Sequence, residues 1–76
     1  MEDLVTTIVR SLVDYPDDVA VETIEGQDGA TYEVRVAPGD MGKVIGRGGR
    51  IIQAIRAVVK AAAGTQDRRA YVEVVS

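Results

Sequence analysis

The sequence predicts an α+β domain in which the elements follow the order helix, strand, strand, short helix, helix, strand. Apolar residues recur at helical spacing over residues 3–14 and again after residue 50. Residues 31–36 alternate between apolar and polar side chains, as in a strand with one solvated face. Glycines and prolines punctuate the intervening stretches. Since 76 residues is the length of one domain, a single domain over residues 1–76 is expected.

The first helix is predicted over residues 3–14, where apolar side chains form one stripe. The stripe consists of Leu4, Val5, Ile8, Val9, Leu12 and Val13. Pro16 ends this helix, because a proline disfavours the helical conformation at the residue before it, here Tyr15.

Two strands follow the first helix. Residues 19–25 are rich in strand-forming side chains, and the Gly-Gln-Asp-Gly stretch at 26–29 indicates a turn. In residues 31–36 the apolar side chains occupy the even positions and the polar ones the odd positions. We therefore predict a β-hairpin.

A short helix over residues 41–45 is predicted next, since Pro38 and Gly39 end the strand and Asp40 is placed to cap that helix. The Gly42 inside it costs about 1 kcal/mol relative to alanine, so the helix depends on its surroundings. The glycines of residues 46–49 break it.

The last helix is predicted over residues 50–63, with Gly64 as its stop signal, and residues 70–75 form the closing strand. At 100° per residue the apolar arc of the helix holds Ile51, Ile52, Ile55, Val58, Val59 and Ala62. The opposite side holds Arg50, Gln53, Arg56 and Lys60.

The net charge of −3 hides a strong asymmetry along the chain. Residues 1–40 carry a net charge of −8, whereas residues 41–66 carry +5 and no acidic residue. The basic segment is centred on the glycine-rich stretch of residues 46–49, and a polyanion would be attracted there.

The absence of histidine and cysteine argues against catalysis. Neither a thiol nor an imidazole is available as nucleophile, general base or zinc ligand. We therefore expect no enzyme, no metal site and no cofactor.

The glycine motif is the most specific feature of the chain. Residues 44–52 read Val-Ile-Gly-Arg-Gly-Gly-Arg-Ile-Ile, a Gly-x-x-Gly loop that opens into a basic helix. A Walker phosphate loop ending at Lys43 would need a glycine at Ala37 and a hydroxyl at Val44, so that motif fails. A dinucleotide fingerprint would need a glycine at Ile51, and it fails too. A plain helix–turn–helix corner with glycines chosen for tight packing remains as the alternative.

With this loop between two helices and strands on both sides, the chain resembles a KH domain, a module that clamps single-stranded RNA with a Gly-x-x-Gly loop. The order of elements resembles the type II arrangement. The resemblance implies a three-stranded sheet covered on one face by three helices. Together with the Ala-Ile-Arg-Ala-Val-Val-Lys run at 54–60, the loop resembles the small bacterial single-KH family of the KhpA type.

That resemblance implies a cytoplasmic single-stranded RNA-binding protein with RNA chaperone activity. It also implies a homodimer, a complex with a larger KH-containing protein of the KhpB type, and post-transcriptional regulation linked to cell shape and wall growth. No membrane association is expected. The residues expected to contact RNA are Lys43, Val44, Ile45, Gly46, Arg47, Gly48, Gly49, Arg50 and Ile52.

Two questions stay open from the residues alone. Val44, Ile45 and Ile52 suit either an apolar floor for bases or the protein core. Net acidity and the absence of Trp and Phe also fit a protein-interaction module of KH architecture with little RNA affinity.

Overall fold

The computed structural model describes residues 1–65 and 68–75. Its helices are α1 (Glu2–Leu12), α2 (Met41–Ile45) and α3 (Arg50–Gly64), and its strands are β1 (Ala20–Glu25), β2 (Gly29–Arg35) and β3 (Arg69–Val75). Single 3₁₀ turns lie at Pro16–Asp18, Pro38–Asp40 and Arg47–Gly49. The predicted α+β class and the predicted order of elements are confirmed.

The three strands form one sheet in the order β1-β2-β3. β1 and β2 pair antiparallel, with Ala20 opposite Arg35, as the predicted hairpin requires. β2 and β3 pair in parallel, with Gly29 opposite Arg69. Parallel neighbours need a long connection that returns the chain to the starting end of the sheet. Here α2, the glycine loop and α3 make up that connection.

One face of the sheet packs against the helices and forms the core. The even-numbered side chains of β2 point to this face, and Val34 is fully buried there. Val5 and Val9 of α1 and Val59 of α3 are also fully buried. The rest of the apolar cluster consists of Val19, Ala30, Tyr32, Val44, Ile52, Ile55 and Val72.

The other face of the sheet carries charge. The strand register places Glu22 opposite Glu33 and Glu33 opposite Glu73, so a row of glutamates crosses all three strands. Like charges directly opposite one another on neighbouring strands disfavour pairing. None of the three forms an ion pair with another described residue. This face is the solvated face that the alternation in residues 31–36 predicted.

The predicted end of α1 is wrong by two residues. The helix stops at Leu12, and Val13 is already extended (φ −103°, ψ 161°). Pro16 constrains Tyr15 as expected (φ −119°, ψ 72°), but the chain leaves the helix before it reaches that constraint. The N–H groups of residues 14 and 15 instead bond to the carboxylate of Asp40, as described below.

The apolar arc of α3 is only partly buried. Val58 is 49% exposed, whereas Ile52, Ile55, Val59 and Ala63 are buried. The buried stripe of α3 is therefore narrower than its apolar stripe, because the sheet covers only one side of the helix. None of the helices that the structure describes is both long enough and apolar enough to span a lipid bilayer.

The close approach of β2 and β3 at Gly29 generates a stability prediction. A Cβ at this position would overlap the carbonyl oxygen of Arg69. We expect Gly29→Ala to lower the free energy of unfolding by about 1–3 kcal/mol, because one strand must move away from the other. Urea denaturation followed by circular dichroism measures this loss.

Gly42→Ala is the matched control. A Cβ at Gly42 would meet no atom within 4 Å, and the residue lies in a helix, where alanine is favoured by about 1 kcal/mol. We expect this variant to be at least as stable as the unmodified chain. Equal stability of the two variants would contradict a close backbone contact at Gly29.

Candidate nucleic-acid interface

The loop of residues 46–49 owes its shape to three glycines with positive φ. Gly46 (φ 77°, ψ 172°) lies in a region that only glycine populates readily. Gly48 (φ 64°, ψ 19°) and Gly49 (φ 77°, ψ 16°) are left-handed, a conformation that Asn and Asp also adopt at some cost. The sequence motif thus corresponds to a backbone path that ordinary residues would not follow.

The loop is folded tightly back onto the start of α3. A Cβ at Gly46 would lie 2.6 Å from Cγ1 of Ile51. The N–H of Gly46 donates to the carbonyl of Gly42 (2.8 Å), and the N–H of Gly49 donates to the carbonyl of Gly46 (3.1 Å). A Cβ at Gly48, by contrast, would point into open space. The outer side of the loop is therefore bare backbone that a ligand can approach closely.

Two backbone donors of the loop are free to bind such a ligand. Among the hydrogen bonds of the described residues, the N–H groups of Arg47 and Gly48 have no acceptor. α3 begins at Arg50 with no side-chain cap and no acidic residue in its first turn. The N-terminus of a 15-residue helix carries partial positive charge, so these groups together favour an anion.

The arginines of the loop add formal charge to this dipole. Arg47 and Arg50 are both exposed, and neither forms an ion pair within residues 1–65 and 68–75. A guanidinium can donate two parallel hydrogen bonds to a phosphate. The structure therefore places two available guanidinium groups next to the free N–H groups.

The apolar residues of the motif belong mostly to the core. Val44 is fully buried and Ile52 is 6% exposed, so both pack in the core, and their predicted contact with RNA stays a prediction. Ile45 and Ile51 are half-buried and leave some apolar surface beside the loop. Of the three apolar residues predicted to contact RNA, Ile45 is the one with the most surface open to a ligand beside the loop.

Lys43 does not extend toward the loop. Its Nζ lies 3.0 Å from Oδ2 of Asp14 and 3.8 Å from Oδ1 of Asp40. The hydrogen bond with Asp14 and the charge of its carboxylate raise the pKa of the Lys43 ammonium. The structure thus separates Lys43 from the other predicted contacts, and its role toward RNA stays a prediction.

A groove between α3 and the free edge of β3 gathers further cations. Arg56, Lys60, Arg68 and Arg69 all line it, and its volume is about 630 Å³. Sequence position alone does not decide whether these four residues contact RNA. In the sequence, Arg56 and Lys60 lie on the basic side of a predicted helix, and the other two residues precede the last predicted strand. The pairing of β3 with β2 brings the two sets together.

Two of the groove's cations also have structural partners. Nε of Arg56 donates to the carbonyl of Val72 (3.0 Å) and so covers an unpaired group at the edge of β3. Nη2 of Arg68 lies 2.6 Å from Oε1 of Glu25, and this hydrogen bond raises the pKa of the guanidinium. Lys60 and Arg69 form no ion pair with a described residue, so they are the available charges of the groove.

Comparison with known proteins agrees with this architecture. Residues 2–74 match the family model of the KhpA/KhpB KH domain. The chain is 53% identical over 75 residues to the RNA-binding protein KhpA of Caldanaerobacter subterraneus, covering 99% of this chain and all of the relative. It is 51% identical to KhpA of Clostridium acetobutylicum, with the same coverage, and 41% identical to KhpA of Listeria monocytogenes, covering 99% of both chains.

No solved structure gives a significant match to the chain. The element order and the mixed three-stranded sheet are those of a type II KH domain, as the resemblance implied. With a family match over nearly its whole length, the chain belongs to the KhpA/KhpB KH-domain family, a family of binding domains rather than of enzymes.

Proposed function

We propose that this protein binds single-stranded RNA and that residues 46–49 clamp the RNA backbone. The observation that carries the proposal is the loop itself. Its glycines keep side chains away from the outer surface, and the N–H groups of Arg47 and Gly48 are free beside the N-terminus of α3. A KH loop of this type holds about four unpaired nucleotides. The family relatives carry the name RNA-binding protein, which supports the same ligand.

The basic side of α3 offers a path for the strand beyond the loop. Arg50 and Lys60 lie ten residues apart on this helix, which corresponds to about 15 Å along its axis. Arg69, from the start of β3, lies across the groove from Lys60. Because Trp and Phe are absent, stacking contributes little, so we expect modest affinity and low base preference.

The first test places negative charge on the loop. In Gly48→Asp/Gly49→Asp both carboxylates meet the phosphates, and we expect affinity for a labelled oligoribonucleotide to fall at least tenfold at low salt. The fold should persist, because aspartate tolerates the left-handed conformation and neither Cβ meets an atom closer than 3.9 Å. Fluorescence anisotropy measures the affinity, and circular dichroism measures the fold.

The matched control is Gly48→Asn/Gly49→Asn. Asparagine has the same size and the same backbone tolerance but no charge, so this variant should bind RNA more tightly than the aspartate variant does. If the folded aspartate variant bound RNA like the unmodified chain, the loop would not be the clamp.

The second test concerns the groove. In Lys60→Gln/Arg69→Gln we expect RNA affinity to fall severalfold. The slope of log affinity against log salt should also become shallower by about 0.7 for each phosphate that the variant no longer neutralises. The control is Arg10→Gln, which removes one positive charge from α1, an element that does not line the groove. This variant should leave the slope unchanged. If the slope of the groove variant were unchanged, the groove would not contact RNA phosphates, and the binding site would be limited to the loop.

The proposal extends to partners and cellular role. We propose RNA chaperone activity in the cytoplasm, a homodimer, and a complex with a larger KhpB-type protein, in post-transcriptional regulation linked to cell shape and wall growth. The complex with a KhpB-type protein is supported by the fact that one family model describes the KH domains of both KhpA and KhpB. A domain of this size also gains stability when it associates.

A second candidate function is a protein-interaction module with little RNA affinity. The observation that favours it is an exposed apolar strip on α3, in which Val58 is 49% exposed between exposed alanines. The alanines of the strip are Ala54, Ala57 and Ala61. Small side chains allow two helices to approach closely. A module of this kind would keep its protein partners after nuclease treatment, whereas an RNA-bridged complex would dissociate.

The strip yields a prediction about self-association. We expect Val58→Glu to weaken self-association at least tenfold, because two carboxylates would be buried at a helix–helix contact. Analytical ultracentrifugation without RNA measures the effect. Gln53→Glu adds the same charge about 140° around the helix and serves as the control. If Val58→Glu did not change the association state, α3 would not be the contact surface.

A further inference from the structure

Asp40 is the one charged side chain that is buried among the described residues, with 1% of its surface exposed. Burying a carboxylate is costly unless hydrogen bonds replace the lost water. No buried side-chain polar atom of the described residues lacks a partner, so the cost at Asp40 is met. The RNA clamp proposed above makes no use of this group, and its burial therefore needs another explanation.

The carboxylate connects two distant parts of the chain. Its Oδ1 accepts the N–H of Asp14 (3.2 Å), and its Oδ2 accepts the N–H of Tyr15 (3.0 Å). Both donors lie just beyond the end of α1, where the chain has left the helix and offers them no helical acceptor. Hydrogen bonds from N–H groups to an ionised carboxylate are stronger than those between neutral groups.

The sequence predicted the N-cap position of Asp40 correctly, but not the role of its side chain. Asp40 occupies the N-cap position of α2, yet its side chain makes no capping hydrogen bond. Both oxygens are committed to the segment after α1. A residue type that commonly caps its own helix is used here to attach that helix to another element.

α2 needs such an attachment because it is intrinsically weak. It has five residues and contains Gly42, and a helix of this length does not form by itself. The fully buried Val44 holds its middle, and Asp40 holds its beginning. Gly46 follows α2 directly, so the direction in which α2 points determines where the glycine loop begins.

We propose that Asp40 is a positioning residue: by tying the start of α2 to the backbone of Asp14 and Tyr15, it holds the loop of residues 46–49 in the conformation that binds RNA. The effect on RNA rests on the proposed function, whereas the effect on the loop can be measured without RNA.

The test is Asp40→Asn, which keeps the shape of the side chain. The amide oxygen can accept one of the two N–H groups, but the amide nitrogen faces the other and cannot accept it. We expect amide hydrogen exchange at residues 46–50 to accelerate at least tenfold relative to exchange in β2. We also expect RNA affinity to fall at least fivefold under conditions in which the variant is folded.

Two controls separate positioning from other effects. Asp14→Asn removes the closest partner of the Lys43 ammonium but keeps the backbone N–H that Asp40 accepts. Its loop exchange should stay within twofold of the unmodified value. Val9→Ala destabilises the core in α1 but leaves the Asp40 carboxylate and its two N–H donors in place, and it should not accelerate loop exchange selectively.

A measurement on the unmodified chain covers the case in which Asp40→Asn does not fold. In native-state hydrogen exchange with increasing urea, the N–H of Tyr15 and that of Gly46 should become exposed in one local opening, before the amides of β2. Separate openings, or loop exchange in folded Asp40→Asn equal to that of the controls, would overturn the proposal. Failure of the unmodified chain to bind RNA would overturn the proposed function alone, since the exchange result would still stand.

Discussion

The parallel pairing of β2 with β3 is the constraint on which the rest of this molecule depends. Two adjacent parallel strands cannot be joined by a tight turn, so the chain between them has to cross the face of the sheet. Every described residue between Arg35 and Arg69 belongs to that crossing or to its ends, and this includes all the residues expected to contact RNA. The crossing bends sharply at residues 46–49, and the bend exposes the backbone. The functional loop is thus the corner of a connection that the sheet makes obligatory.

The pairing also explains the position of the basic groove. α3 runs back over the sheet and ends near the beginning of β3, so the second half of the helix and the first residues of the strand become neighbours. Charges that are separated in sequence, on α3 and after it, then face the same space. The acidic residues collect in the part of the chain that forms α1 and the hairpin.

Much of this architecture was predictable from the sequence, because local patterns and the fold agree. The alternation in β2, the apolar stripe of α1 and the glycine run each point to the element that forms. Side chains depart from the placement that local pattern suggests where tertiary contacts decide. Val58 has the character of a core residue and the correct spacing, but the sheet is too narrow to cover it. Asp40 has the character of a cap, but donors 25 and 26 residues away in sequence take its oxygens. Lys43 stands beside the motif in sequence, yet its ammonium turns toward Asp14. No local pattern carries information about such distant partners.

The row formed by Glu22, Glu33 and Glu73 has a consequence for how copies of this domain can meet. A flat, uncovered sheet is a surface on which proteins tend to stack and aggregate. If two copies approached through this surface, both rows of carboxylates would face each other. The three glutamates of each row outnumber Arg35 and Arg69, the arginines that the strand register places on the same face. Stacking of sheet on sheet is therefore disfavoured at neutral pH and low salt. The same charges that weaken the pairing of its own strands thus disfavour the association of two copies through this face of the sheet.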